Sequence, residues 1–314
     1  MSKLFLTALI LYCMLSSAWA TEPSSPQVVV SIKPLHSLVA GVMQGVGTPL
    51  LLVKGGGSPH GYVLRPSEAR ALEKAQLVVW VGHELESFLQ KPLATLGHKA
   101  RQLELAEQLE DHLLVKRQGG TWEGHAHKHS SDETSTEHNE QQHQSADLHL
   151  WLDPVLARQI VIITGNTLSE IDPAHSSQYQ ANTTALVKKL ERLNQDLKKQ
   201  LRPIKEIPYI VFHAAYQYFE AAYGLNAVGS ITIDPERKPG AKRIKDIRQK
   251  IKQLGARCVF SEPQFESRLI ATVIEGTGAK TGTLDPLGAD LTAGPEAYFQ
   301  LMTRLADNLC EGLK

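Results

Sequence analysis

The run Ala185-Leu186-Val187-Lys188-Lys189-Leu190-Glu191-Arg192-Leu193-Asn194-Gln195-Asp196-Leu197-Lys198-Lys199-Gln200-Leu201 divides this chain into two halves. Leu186, Leu190, Leu193, Leu197 and Leu201 recur at spacings of three and four, with Lys and Glu opposite, as a helix with one buried stripe requires. The helical signal begins at Asp172-Pro173 and stops at Pro203. A helix of roughly thirty residues reaches on the order of 45 Å. That is long enough to run between two lobes.

On either side, strand-like and helical runs alternate. In the first half Val28-Val29-Val30-Ser31-Ile32, Leu50-Leu51-Leu52-Val53 and Leu77-Val78-Val79-Trp80-Val81 read as strands. Helical patterns cover residues 34–43, 68–75 (capped by Ser67), 85–96 and, opened by Asp153-Pro154, 154–168. In the second half the strands are Tyr209-Ile210-Val211-Phe212, Cys258-Val259-Phe260 and Lys280-Thr281-Gly282-Thr283-Leu284. Helices are expected at 214–223, 239–254, 267–275 and 295–309, the first two stopped by Gly224 and Gly255. This alternation predicts an α/β fold: two lobes of mainly parallel sheets covered by helices, joined by the long linking helix. The expected division is 21–170 for the N-terminal lobe, 171–202 for the linking helix and 203–314 for the C-terminal lobe.

Residues 1–20 read as a cleaved export signal. Lys3 supplies the positive end, an apolar core follows, and Ala18-Trp19-Ala20 is a small-x-small cleavage site. A lipoprotein signal would place a small residue before Cys13, and Tyr12 is large. The expected product is therefore a soluble exported protein. Export leaves Cys258 and Cys310 as one pair in an oxidising compartment, which favours a disulfide, with two separate buried thiols as the alternative. Lys+Arg 33 against Asp+Glu 33 in 314 residues gives no net field. A nucleic-acid or anionic-membrane partner therefore has no electrostatic support.

The chemistry lies just past the apolar runs. His60 follows Ser58-Pro59, His149 sits in Leu148-His149-Leu150, and His213 closes the strand that opens the second half. Asp285 follows Leu284 in Leu284-Asp285-Pro286-Leu287-Gly288. Ligands of open parallel sheets bind beyond the carboxyl ends of the strands. Two candidates belong to each half, so they can converge only in the inter-lobe cleft. Three imidazoles with a carboxylate or water suit zinc, while copper(II) or nickel would bind the same nitrogens and calcium or magnesium would want oxygen cages. For Asp285 a turn role stands beside the ligand role, since Asp-Pro is common turn chemistry. Glu262, in Ser261-Glu262-Pro263-Gln264, is a candidate to hold the outer nitrogen of a ligand histidine, or to stabilise a turn.

Residues 119–145 break the pattern, being polar and almost free of aliphatic side chains, and read as a mobile loop. Its His125, His127, His129, His138 and His143 stand among Asp132, Glu133 and Glu137. Such a mixture binds ions weakly and releases them easily. An ion-gathering antenna and a solvated tether are both open.

These segments together, from Val28-Val29-Val30-Ser31-Ile32-Lys33-Pro34 through Ser58-Pro59-His60, Leu64-Arg65-Pro66-Ser67-Glu68, His149-Leu150-Trp151-Leu152-Asp153-Pro154, the His213 strand and Ser261-Glu262-Pro263-Gln264 to Leu284-Asp285-Pro286-Leu287-Gly288, resemble the cluster A-I metal-binding proteins of ABC importers. The likeness is to the zinc-uptake ZnuA type in particular. The resemblance implies two α/β lobes around a rigid helix, with one metal ion in the cleft held by His60, His149, His213 and Asp285. Manganese-binding relatives carry a carboxylate where His213 stands. Some zinc members have a Glu before the first ligand, and this chain has Pro59. The cysteine pair resembles a disulfide of zinc members. Implied partners are zinc as the transported ligand and an inner-membrane permease with its ATPase, the protein itself being a monomer and not an enzyme. The alternatives are an exported zinc-dependent hydrolase, a manganese or other divalent-metal receptor of the same fold, and a metal-dependent adhesin. A hydrolase needs a general base beside metal-bound water, and no His-Glu-x-x-His pattern is present, Glu84 beside His83 lacking a second histidine.

Overall fold

The structure, a computed structural model, describes residues 25–117, 122, 145–232, 235, 239–265 and 268–314. The expected export signal and His125, His127, His129, His138 and His143 lie outside the described residues.

The first sheet contains β1 (Val28–Val30), β2 (Leu50–Leu51), β3 (Leu77–Trp80) and β4 (Arg101–Glu104), all parallel, in the order β2-β1-β3-β4. Between them run α1 (Lys33–Val42), α2 (Pro66–Lys74) and α3 (Ser87–Thr95), with a short α4 (Leu105–Gln108) after β4. The second sheet repeats this plan with β5 (Tyr209–His213), β6 (Ala227–Thr232), β7 (Cys258–Ser261) and β8 (Lys280–Thr283), again parallel, in the order β6-β5-β7-β8. Its helices are α7 (Gln217–Tyr223), α8 (Ala241–Leu254), α9 (Arg268–Ile274) and α10 (Ala297–Leu313). In each sheet the chain steps first to one side of the opening strand and then to the other. A crevice therefore forms beyond the carboxyl ends of β1/β3 and of β5/β7.

Two strands had no signal in the sequence. β4, Arg101-Gln102-Leu103-Glu104, is an edge strand whose one buried side chain is Leu103. β6, Ala227-Val228-Gly229-Ser230-Ile231-Thr232, is the opposite kind of case, an edge strand with a buried end in which Gly229 and Ser230 interrupt the apolar run. Edge strands need only one covered side, so their composition drifts away from the apolar runs that mark central strands.

α5 (Pro154–Ile171) and α6 (Ser176–Leu201) connect the sheets. Asp153 caps α5 by accepting from Val155 N at 2.7 Å, with Pro154 in the first turn. The linking helix α6 has 26 residues, fewer than the sequence pattern predicts, which makes it about 39 Å long. Asp172-Pro173 opens a separate 3-10 turn, Pro173–His175, in which the Asp172 carboxylate bonds His175 Nδ1 at 2.7 Å and the Tyr179 hydroxyl at 2.8 Å. Along α6, Leu186, Leu190, Leu197 and Leu201 are buried. They face α5, α1 from the first lobe and α10 from the second. At Gly165 of α5 a Cβ would stand 2.2 Å from Thr183 Oγ1 of α6, so only glycine permits this approach.

One buried cluster runs from Val28, Leu35 and Val79 through Trp151 and Leu190 to Val211, Phe260 and Tyr298, crossing both lobes. Two smaller clusters sit on the outer sheet faces, around Val78 and Trp80 in the first lobe and Phe212 and Val259 in the second. A shared apolar core resists free swinging of the lobes. Among the described residues no helix is long and apolar enough to cross a membrane.

One expectation is corrected. The Cys258–Cys310 disulfide is not formed, and both residues are buried free thiols. Cys310 Sγ faces the Gln200 carbonyl at 3.7 Å, at the end of α6, whereas Cys258 packs beneath Gly282 and Gly312. Each sulfur is engaged by a different neighbour.

Candidate metal centre

His213 is the last residue of β5, so the sheet itself delivers its ring to the crevice at the β5/β7 switch point. Glu262 follows β7, the neighbouring strand, and is 3 % exposed. Its Oε1 accepts from His213 Nδ1 at 2.7 Å and from the His213 amide at 3.3 Å. His149 does not sit on a strand. It precedes the 3-10 turn Leu150–Leu152 that leads into α5. Asp147 folds back in an Asx turn, and its Oδ1 accepts from the His149 amide at 3.0 Å and from His149 Nδ1 at 2.7 Å. His60 lies in the irregular segment after β2, its amide donating to Ser58 Oγ at 3.3 Å.

These elements bring three rings together. Centroids are 5.6 Å apart for His60 and His149, 5.7 Å for His60 and His213, and 5.2 Å for His149 and His213. One ring nitrogen from each lies within 4.8 Å of the others. Among the described residues this is the one group of three or more His, Cys, Asp or Glu that converges in this way.

The hydrogen bonds assign the tautomers. With Nδ1 of His149 and of His213 donating to a carboxylate, the neutral form of each ring carries its lone pair on Nε2. Those two Nε2 atoms face each other at 3.4 Å. Zinc–nitrogen bonds of about 2.0–2.1 Å at tetrahedral angles place two ligand nitrogens about 3.4 Å apart. In those neutral forms two lone pairs converge, an arrangement that a bound cation satisfies.

Burial, then the nearby His149 and His213, then Lys116 push the His60 pKa down to about 2. Its imidazole is therefore neutral at any physiological pH and ready to coordinate. The void among the rings holds about 10 Å³ and is walled by Pro59, Trp151, Phe265, Pro286 and Leu287. That is room for about one small species.

Asp285 is not brought to the three histidines. Its Oδ1 accepts from Gln264 Nε2 at 2.7 Å, Leu287 N at 3.0 Å and Gly288 N at 2.9 Å, and its Oδ2 accepts from Ala289 N at 2.5 Å. The carboxylate thus builds the turn that carries the Pro286 and Leu287 wall, and Trp151 Nε1 donates to the Pro286 carbonyl at 2.8 Å. Sequence reasoning passed over Asp147. Its signal was the spacing Asp147-Leu148-His149, which suits an Asx turn that closes on the ring of the residue two ahead.

Fold and site together define a two-lobe metal receptor with a histidine cluster at the lobe junction. Residues 28–312 match the family model described as ZnuA, zinc-uptake complex component A, periplasmic, and the chain belongs to that family. A high-affinity zinc uptake system protein ZnuA of Brucella abortus is 46% identical over 325 residues, covering 98% of this chain and 97% of that protein. The protein of the same description in Yersinia pestis is 35% identical, covering 93% of this chain and 92% of its own. A solved crystal structure of a ZnuA superposes with a TM-score of 0.76 at 26% identity, covering 92% of this chain and all of that one. Family membership makes the chain a zinc-binding periplasmic substrate-binding protein of an ABC importer.

Proposed function

We propose that His60, His149 and His213 hold one transported zinc ion, and that the chain surrenders it to an inner-membrane permease driven by its ATPase. The observation that carries this reading is the 3.4 Å approach of the His149 and His213 Nε2 atoms, each imidazole being turned by a carboxylate on its far nitrogen. Carboxylates on the outer nitrogens fix ring orientation and raise ligand basicity. A water or a small anion completes the coordination, while Asp285 serves the turn beside it. Asp147 and Glu262 are both committed to ring nitrogens, which leaves neither free as the general base of a hydrolase. The protein works as a monomer in the periplasm after removal of residues 1–20, with lobes at 21–170 and 203–314 around the linking segment 171–202. The histidines of 119–145 gather further ions weakly.

Native mass spectrometry with competing zinc, manganese, nickel and copper tests the reading. The expected result is one tightly held zinc per chain and no turnover of generic ester, peptide or phosphate substrates. Excision of residues 124–144 should remove only the weaker binding. Loss of the tight ion in that deletion would place a primary ligand in the loop and overturn the assignment.

A further inference from the structure

The two arms at residues 114–117 and 145–147 pair with one another and form a neck on the first lobe. Val115 and Ala146 form an antiparallel bridge. Lys116 N donates to Ser145 O at 3.0 Å, and Asp147 N donates to Leu114 O at 2.7 Å. The neck does not rest on its own lobe alone, because it also lies against α7 of the second. The Tyr218 hydroxyl accepts from Leu114 N at 2.9 Å and donates to Asp147 O at 2.7 Å, so one side chain of α7 ties both arms. Gln217 Nε2 donates to Val115 O at 3.0 Å. Arg117 pairs with Glu220, whose side chain is 2 % exposed, and the Arg117 guanidinium lies 4.5 Å over the Trp122 ring.

Both ends of this clamp lead to the metal centre. Asp147, gripped through its carbonyl, is the residue whose carboxylate turns His149. α7 begins four residues after His213 at the end of β5. The contact between neck and α7 therefore sets how His149 from one lobe stands to His213 from the other. A carboxylate as deeply buried as Glu220 loses the Arg117 cation that compensates it if the neck lifts away, which makes lifting costly.

Resting on the zinc reading above, we propose that Tyr218, Glu220 and Arg117 are positioning residues that set how long the ion stays bound, by holding the His149 arm against the His213 lobe. They touch no ligand atom: Tyr218 acts on the backbone of Asp147 directly, and Arg117 with Glu220 through the arm whose Leu114 carbonyl pairs with Asp147 N. Loosening them lets the two Nε2 atoms separate, so the ion leaves faster while the ligand set is unchanged.

The experiment uses the full exported chain, loaded with zinc, in parent, Tyr218→Phe, Glu220→Gln and Arg117→Met forms. Zinc release to a chelator is followed by stopped flow, the cobalt-substituted absorption spectrum reports the ligand set, and metal-free melting reports the fold. The expected outcome is release at least tenfold faster, equal to about 1.4 kcal/mol, with one zinc per chain and a parental cobalt spectrum. Arg248→Ala on α8, where Arg248 bonds Thr272 O and Glu275, should release zinc like the parent. If Glu220→Gln fails to fold, Tyr218→Phe and Arg117→Met carry the test, since both keep the bulk of the side chain. Release within twofold of the parent in these variants overturns the proposal. Absence of a tight zinc in the parent itself would instead overturn the zinc reading, so the two failures are distinguishable.

Discussion

Lys33 Nζ, at the first residue of a first-lobe helix, donates to the Leu291 carbonyl of the second lobe at 2.8 Å. It also donates to the carbonyls of Gly288 and Ala289. A cation at a helix N-terminus opposes the helix dipole, so the α1 backbone does not account for its place. The carbonyls of the turn that Asp285 builds do. The ammonium and that turn form one inter-lobe fastening, buried at 5 % exposure for Lys33.

Lys33→Met should therefore cost stability more than metal affinity. Three carbonyls lose a charged donor, and a loss of about 2 kcal/mol is the scale for hydrogen bonds to a charged group. Denaturant titration of metal-free protein checks this. Asp285→Ala should behave alike, lowering the melting temperature while weakening zinc less than any of the three histidine variants does. Zinc binding abolished by Asp285→Ala would make that residue a ligand after all.

Replacing His60, His149 or His213 by Ala should weaken zinc binding by several orders of magnitude, read by competition with a calibrated chelator. Asp147→Asn and Glu262→Gln should each cost roughly 10–100-fold, the usual scale for groups that orient ligand histidines. Two histidine variants binding zinc like the parent would sink the site.

Acidification should destabilise the metal-free protein, and His60 gives the sign. Its pKa is depressed from 6.5 to about 2 in the fold, chiefly by burial. As the pH drops below 6.5 the unfolded chain takes up a proton that the native site refuses, so stability falls progressively across that window. Melts of metal-free protein from pH 7 to pH 4 should show this slope, and His60→Asn should flatten it. A slope unchanged in His60→Asn would refute the attribution.

The thiols make a chemical prediction. Burial pushes Cys258 up to about 12, and raises Cys310 as well. The thiolate is the reactive form, so neither residue should react appreciably with a thiol reagent while the protein is folded. Denatured without reductant, the chain should release two reactive thiols. Finding none would mean that the two sulfurs are joined.

Much of the architecture was legible because its signals are local. The leucine stripe of α6, the apolar runs of β1, β3, β5 and β7, and the caps at Asp153, Gly224 and Gly255 depend on neighbours within a turn or two. His213 was legible as well, since a polar residue closing a buried run must sit at a strand end.

Pairing across distance was settled only by the tertiary structure. The strand-poor runs of β4 and β6 become strands because a neighbouring backbone lies beside them. Glu262 reaches His213 across 49 residues, and the Tyr218 hydroxyl reaches Asp147 across 71. For Asp285 a ligand role and a turn role both stood in the sequence, and in the structure its oxygens accept from the amides of Leu287, Gly288 and Ala289. Residue type and periodicity determine which groups can bind and which faces must be buried. Which lone pair meets which proton depends on distances of a few tenths of an ångström, and packing alone sets those.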